Sequence, residues 1–200
     1  MMNKFFFLVL GTLSLSCIDK KEVETGLVIE DTAVEETEEG PIHWDESECS
    51  YNIGDHICNL RLATAMNTVD QLYEYHGEPF MIEVTSMRCS DCQRSSANND
   101  YLVIMGSGIR WITIIMENEA GMDPSVSDGR RWANAFTLSY FYVWLGGRAN
   151  IDIHHGKTGF PYSSYPYYVL VDDDLVIRSV VEGYDKDKII NNITDLKSSL

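Results

Sequence analysis

The feature that most constrains the fold is a short apolar strand followed closely by two cysteines. Residues 80–84 are apolar except for Glu83, and Cys89 and Cys92 follow in a Cys-x-x-Cys pattern. A strand that delivers such a pair to the start of a helix places Cys89 among free backbone N–H groups at the positive end of the helix dipole, which stabilise a thiolate. Cys92, one turn later and facing inward, can then attack a mixed disulfide at Cys89. The pattern predicts thiol redox chemistry, with half of a zinc site as the alternative.

Charge is distributed unevenly along the chain. The net charge of -16 over 200 residues excludes nucleic acid as a natural partner, and a hydrophobic content of 44% suits one globular domain with extensions. Residues 18–48 hold 12 acidic residues against two lysines, whereas residues 49–200 carry a net charge of only -7. High charge and few aromatic residues predict that residues 18–48 form a disordered acidic linker to a domain at residues 49–200.

Residues 1–17 have the pattern of a signal peptide. A lysine precedes an apolar run at residues 5–15, which is too short to span a bilayer. The run ends in a small residue directly before Cys17 and so resembles a bacterial lipobox, although Ser14 stands where that motif prefers leucine. The same residues also fit an ordinary small-x-small cleavage site. The resemblance implies a lipid anchor at Cys17 and a location at the bacterial cell envelope, facing the periplasm or the exterior.

The domain alternates strands and helices. Apolar runs predict strands, and capping residues with helical apolar spacing predict helices. The predicted elements are a strand or hairpin within residues 49–68, strand 80–84, the helix after Cys89, strand 109–116, a helix from Ser125 to about Thr137, a hairpin of strands 167–171 and 175–181, and a helix at 186–198. This order predicts an α/β domain with a central mixed sheet and helices on both faces.

Residues 49–200 resemble the thioredoxin-like family, most closely its exported, membrane-anchored (TlpA-like) branch. Cys89-Ser-Asp-Cys92 stands at the family's redox motif, and Glu83, six residues earlier, stands at its buried acid. Tyr165-Pro166 matches the cis-proline loop that lies beside the cysteines in the family. The resemblance implies a thioredoxin-like fold, in which the first cysteine attacks, the second resolves and the buried acid carries the proton.

The resemblance also implies a substrate platform formed by Tyr165, Pro166 and Arg88. Arg88 replaces the tryptophan that usually precedes the first cysteine, and Ser90-Asp91 stands where the family often has proline. Arg88 favours a thiolate and Asp91 opposes it, so the sequence assigns no direction to electron flow. The implied partners are protein thiols or disulfides and an upstream redox protein, without an organic cofactor or a metal.

Two further cysteines are predicted to form a structural disulfide. The lipid anchor and the redox pair account for three of the five cysteines, and Cys49 and Cys58 remain in an oxidising compartment. The alternative is a zinc site that combines both pairs, but the spacing of Cys49 and Cys58 is loose for zinc.

Three other functions stay open. A peroxiredoxin-like antioxidant needs proline and threonine ahead of its reactive cysteine, where this chain has Ile82 and Ser86. A copper-binding protein of the same fold could use His154 and His155, although such proteins usually space their cysteines one residue wider. The third alternative is an anchored interaction module with little turnover, against which the cysteine pair and Glu83 both argue.

Overall fold

The computed structural model describes residues 48–98, 104, 107–147 and 159–200. The predicted signal peptide, nearly all of the predicted linker and the histidine pair lie outside these residues. The described elements are β1 (Arg61–Thr64), β2 (Val69–Gln71), a 3-10 helix (Leu72–Tyr75), β3 (Phe80–Ser86), α1 (Ser90–Ala97), β4 (Arg110–Glu117), α2 (Val126–Phe136), a 3-10 helix (Tyr140–Tyr142), β5 (Val143–Leu145), β6 (Tyr167–Val171), β7 (Ile177–Glu182) and α3 (Lys186–Ser199).

The strands form one mixed sheet in the order β2-β1-β5-β4-β3-β6-β7. β3, β4 and β5 run parallel, whereas β6 runs antiparallel to β3, and β1–β2 and β6–β7 are antiparallel pairs. β1 and β2 form an N-terminal hairpin, of which only β1 lies within the predicted residues 49–68. β3 is central, and each of its residues is buried because strands flank it and side chains cover both of its faces.

The described α-helices pack on one face of the sheet, here called the helical face. On β3 this face carries Met81, Glu83 and Thr85. α3 packs in one apolar cluster with Met81, and α1 and α2 share a second cluster with Ile115 of β4. The sequence predicts helices on both faces of the sheet, but in the described part of the chain the α-helices all lie on one face. The connections β3–α1–β4 and β4–α2–β5 step across the sheet in the same direction, so right-handed crossovers place both helices on one side.

The opposite face is covered without α-helices in the described part of the chain. Phe80, Ile82 and Val84 of β3 point to this side, and Trp144 of β5 lies fully buried beside them. Their cover consists of residues 51–60, the first 3-10 helix and residues 160–167, which share one apolar cluster with the sheet. Among the described helices, none has both the length and the apolar character needed to cross a membrane.

Candidate functional site

The two cysteines of the Cys-x-x-Cys pattern lie where β3 passes into α1. β3 ends at Ser86, and Cys89 is the N-cap of α1 with extended backbone dihedral angles. The Cys89 Sγ atom accepts a hydrogen bond from the Cys92 backbone N–H at 3.0 Å, and the two cysteines form a disulfide with a Cα–Cα distance of 5.2 Å. Cys92 is completely buried, whereas Cys89 is half-buried. The geometry therefore offers one sulfur to a partner and keeps the other beneath it.

The position of Cys89 suits a thiolate. Its sulfur caps the first turn of α1, where the Cys92 N–H points at it and the helix dipole is positive. Two charged residues lie close to Cys89 in the sequence, Arg88 and Asp91. Arg88 is exposed and its guanidinium packs on Gly121, where any side chain would bring a Cβ within 2.7 Å of Nη1. The carboxylate of Asp91 is paired with Arg94 at 2.8 Å, so a counter-ion partly offsets its effect on Cys89.

Tyr165 and Pro166 lie beside the cysteines. The Tyr165–Pro166 peptide bond is cis, and Tyr165 packs against the apolar cluster that contains Cys92. The Tyr165 hydroxyl lies 2.8 Å from that of Tyr162, and either group can donate. The partly buried apolar side chains packed against the same cluster are Cys89, Phe136, Leu138, Tyr140 and Tyr165. The rim of the site is thus mainly aromatic and aliphatic.

Glu83 lies fully buried in the middle of β3, on the helical face. In the sheet it pairs with Thr113 of β4 and Tyr168 of β6. Burial raises the pKa of Glu83 from 4.5 to about 8, and hydrogen bonds from the side chains of Trp111, Ser95, Tyr168 and Thr113 counteract part of that rise. The Oε2 atom has no hydrogen-bond partner among the described residues. This carboxyl group can therefore gain or lose a proton near neutral pH.

Glu83 and Cys92 lie on the same side of the sheet, at successive levels. Cys92 packs in the cluster of Ile115, whose partner on β3 is Thr85, two residues beyond Glu83. Ser95, one turn after Cys92 on α1, reaches the level of Glu83. The rise of one helical turn, about 5.4 Å, is similar to the length of two strand residues, about 6.7 Å. The helix α1 therefore runs back over β3, with Cys92 near the level of Thr85 and Ser95 near the level of Glu83.

The second cysteine pair lies on the opposite face. Cys49 and Cys58 form a disulfide with a Cα–Cα distance of 4.9 Å, and Cys58 belongs to the cluster that contains β3 residues of that face. The zinc alternative requires this pair to meet Cys89 and Cys92, but the two pairs lie in different clusters on opposite sides of the sheet. Among the described residues, no group of three or more histidine, cysteine or acidic side chains converges on one point.

Most of the residues proposed from the sequence lie in one region. Cys89, Cys92, Tyr165, Pro166 and Arg88 surround the end of β3, with Glu83 beneath them, whereas Cys17 lies outside the described residues. Sequence reasoning missed Tyr168 and Ser95, which contact the acid. The apolar pattern of β6 gives the position of Tyr168 in a strand, but no sequence signal gives its pairing with Glu83.

Comparison with known proteins gives matches in structure only. No protein-family model and no curated protein matches this sequence. A thiol:disulfide interchange protein from Bacteroides sp. has 14% identity and a TM-score of 0.56, covering 72% of this chain and 89% of that one. The thioredoxin domain of a thiol-disulfide oxidoreductase from Bacteroides vulgatus has 14% identity and a TM-score of 0.55, covering 71% and 98%.

An exposed lipoprotein thioredoxin from Streptococcus pneumoniae is also similar, with 18% identity and a TM-score of 0.52, covering 70% of this chain and 100% of that one. At such low identities these similarities establish the fold. The thioredoxin-like fold predicted from the sequence is confirmed.

Proposed function

We propose that this chain is a thiol–disulfide oxidoreductase that exchanges disulfides with protein substrates through Cys89 and Cys92. The observation that carries the proposal is the half-buried Cys89 sulfur at the N-cap of α1, directly over the buried Cys92. Solved structures of this fold include a thiol:disulfide interchange protein and a thiol-disulfide oxidoreductase, which supports the same chemistry here.

Reduction of a substrate disulfide proceeds in two exchanges. The Cys89 thiolate attacks one substrate sulfur, a Cys89–substrate disulfide forms, and the other substrate sulfur leaves as a thiolate. The Cys92 sulfur then attacks Cys89 Sγ, which forms the Cys89–Cys92 disulfide and releases the second substrate thiolate. Two electrons pass from the protein dithiol to the substrate. Substrate oxidation is the same sequence in reverse, so the chemistry does not depend on direction.

Glu83 is proposed to carry the proton for the second exchange. Cys92 must lose its proton to become a nucleophile, and its environment is fully buried. The ionised form of Glu83 accepts that proton and later returns it to a departing thiolate. A carboxyl group with a pKa near 8 is suited to this role because it changes charge close to the operating pH.

Substrates are proposed to bind across the rim formed by Tyr165, Pro166 and Arg88. Tyr165 packs against the same apolar cluster as Cys89, so an extended substrate segment laid along it brings its disulfide to Cys89. The guanidinium of Arg88 adds a positive charge that stabilises the thiolate and any acidic group on the substrate.

The protein is further proposed to be a lipoprotein of the bacterial cell envelope, anchored through Cys17 and held away from the membrane by the acidic linker at residues 18–48. The signal-like run before Cys17 supports export, and one solved structure of this fold is an exposed lipoprotein thioredoxin. Mass spectrometry of the membrane fraction should find a diacylglycerol adduct on Cys17. A soluble product that begins at Cys17 without lipid contradicts this part of the proposal.

Trapping of substrates tests the exchange itself. Cys92→Ser leaves the mixed disulfide unresolved, so the variant should accumulate partner proteins bound through Cys89, and these should be released by a reductant. Cys89→Ser should abolish both trapping and reduction of insulin. The control is the double variant of Cys49 and Cys58 to serine, which keeps the redox pair intact and should still exchange disulfides. Unchanged insulin reduction by Cys89→Ser refutes the proposal.

A further inference from the structure

A buried hydroxyl group links three elements of the proposed site. Tyr168 lies on β6, directly opposite Glu83 of β3, and both side chains are almost completely buried. The Tyr168 hydroxyl lies 2.6 Å from Ser95 Oγ on α1 and 3.5 Å from Glu83 Oε1. Ser95 is one helical turn beyond Cys92 and is itself fully buried. Pro166 directly precedes the same strand, so the Tyr168 phenol connects the buried acid on β3, the helix α1 that carries Cys92, and the strand that follows the proposed substrate platform.

We propose that Tyr168 and Ser95 are positioning residues that hold Glu83 ready to take the Cys92 proton in the resolving exchange. The inference rests on the proposed function, because it concerns the rate of one step of that chemistry. It assigns the two hydroxyl groups a role in the ionisation of Glu83, and it assigns them no contact with the substrate or the reacting sulfurs.

The hydrogen-bonding capacity of the three groups supports this role. A phenol and a serine hydroxyl each have one proton to donate and can accept as well, whereas an ionised carboxylate only accepts. When Glu83 is ionised, the Tyr168 hydroxyl can donate to its Oε1 atom as well as to Ser95 Oγ. When Glu83 is protonated, it can donate to the Tyr168 oxygen while Tyr168 donates to Ser95. The phenol can therefore form a hydrogen bond with Glu83 in both states of the proton transfer, and phenylalanine at position 168 cannot.

Among the described elements around Glu83, no charged side chain contributes to the shift of its pKa. β4 presents Thr113 and Trp111, whose indole N–H donates to the Thr113 hydroxyl at 3.0 Å. β6 presents Tyr168 and α1 presents Ser95, all neutral. The charged residues of α1 are Asp91 and Arg94, which are exposed and paired with each other. In the reduced protein, Cys92 adds the one further titratable group on the inner side of this helix.

The removal of Tyr168 therefore has a directional effect. Tyr168→Phe keeps the ring and its packing but deletes the donor to the carboxylate. The ionised form of Glu83 loses stabilisation in a buried site, so its pKa rises further and less base is present at neutral pH. Ser95→Ala removes another hydroxyl group whose hydrogen bond lowers the pKa of Glu83, so it should act in the same direction.

A two-phase reaction with the aromatic disulfide DTNB separates the steps. Protein with a reduced redox pair releases one coloured thiolate when Cys89 attacks and a second when Cys92 resolves the adduct, and stopped-flow absorbance follows both across pH. For Tyr168→Phe we expect the midpoint of the second phase to rise by about one pH unit and its rate at neutral pH to fall about 10-fold, from the usual strength of a hydrogen bond to a charged group. The first phase should be unchanged.

Controls distinguish this inference from the proposed function. Tyr167→Phe is the matched control, because Tyr167 is the buried neighbour on β6 that faces the opposite cluster. If Cys89→Ser releases no coloured thiolate, the exchange chemistry is supported, and if this variant still releases it, that chemistry is refuted. If Glu83→Gln abolishes the pH midpoint of the second phase but Tyr168→Phe leaves that midpoint at the value of the unmodified protein, the inference alone is wrong. Equal slowing of both phases in Tyr168→Phe also overturns it, since a structural defect acts on both.

The Ser95→Ala variant keeps the inference testable if Tyr168→Phe does not fold. Alanine is at least as favourable as serine inside a helix, so this variant should retain α1. A rise in the second-phase midpoint supports the inference, and an unchanged midpoint overturns it.

Discussion

Replacement of Glu83 by glutamine should change how the stability of this protein depends on pH. The folded carboxyl group has a pKa of about 8, against 4.5 for the ordinary group, because it is fully buried. Between these two pH values the folded state keeps a proton that the unfolded chain has lost. The folded state therefore binds more protons, and the free energy of unfolding falls as pH rises through this window. Glutamine carries no such proton.

The magnitude follows from the same two pKa values. Each pH unit inside the window costs up to about 1.4 kcal/mol, so the whole interval from 4.5 to about 8 corresponds to a loss of up to about 5 kcal/mol. This loss is absent in Glu83→Gln. Near pH 4.5 the two proteins should have similar stability, since a neutral carboxyl group and an amide have nearly the same size. Near pH 8 the variant should be the more stable of the two by several kcal/mol, on the order of half the stability of a typical domain.

Urea unfolding of the oxidised protein at a series of pH values measures the effect, with both disulfides intact in each sample. The control is Glu74→Gln, because Glu74 is exposed and its glutamine can still accept the hydrogen bond from Gln71. That variant should follow the pH dependence of the unmodified protein. If Glu83→Gln and the unmodified protein have parallel curves between pH 5 and pH 8, the carboxyl group does not hold its proton in the folded state and the reasoning is wrong.

Three further predictions concern stability. Removal of the Cys49–Cys58 disulfide by a double serine substitution should lower the free energy of unfolding by about 2–3 kcal/mol in urea, the loop-entropy value for so short a loop; no change contradicts a structural role. Asp172→Ala should cost roughly 3 kcal/mol, because this buried carboxylate binds two backbone N–H groups and Arg178; a cost below that of an exposed substitution refutes this. Ser125→Ala should cost about 1 kcal/mol and fray the first turn of α2 in hydrogen exchange, since Ser125 forms a capping box there.

Local sequence signals predicted the helices well because their ends are encoded locally. Ser125 caps α2 and Asp185 caps α3, and in both helices a side-chain oxygen accepts a backbone N–H three residues later. β3 was predicted from its apolar run and extends only two residues further, to Ser86. The face on which each helix packs was not predictable in the same way, since it depends on the order of strands in the finished sheet.

The β6–β7 turn shows why a buried residue can be misread. The sequence predicts that the second strand begins at Leu175, but this residue has a positive φ of 64° and belongs to the turn. Asp172 accepts hydrogen bonds from the N–H groups of Asp174 and Val176, which extends the turn to five residues and delays β7 until Ile177. Leu175 is apolar because it is buried in the cluster on the opposite face, and apolar character alone resembles that of a strand.

The ionisation of Glu83 depends on information that the local sequence does not contain. Alternation along β3 leaves open whether the acid faces solvent or core, because every residue of this strand is buried. Tyr168 lies 85 residues later in the chain, and it meets Glu83 only because β6 pairs antiparallel with β3 in one register. A shift of that register by one residue turns the phenol to the other face and leaves the acid without this donor. The cysteine pair thus identifies the proposed chemistry, whereas the burial of Glu83 and its hydrogen-bond partners depend on strand pairing.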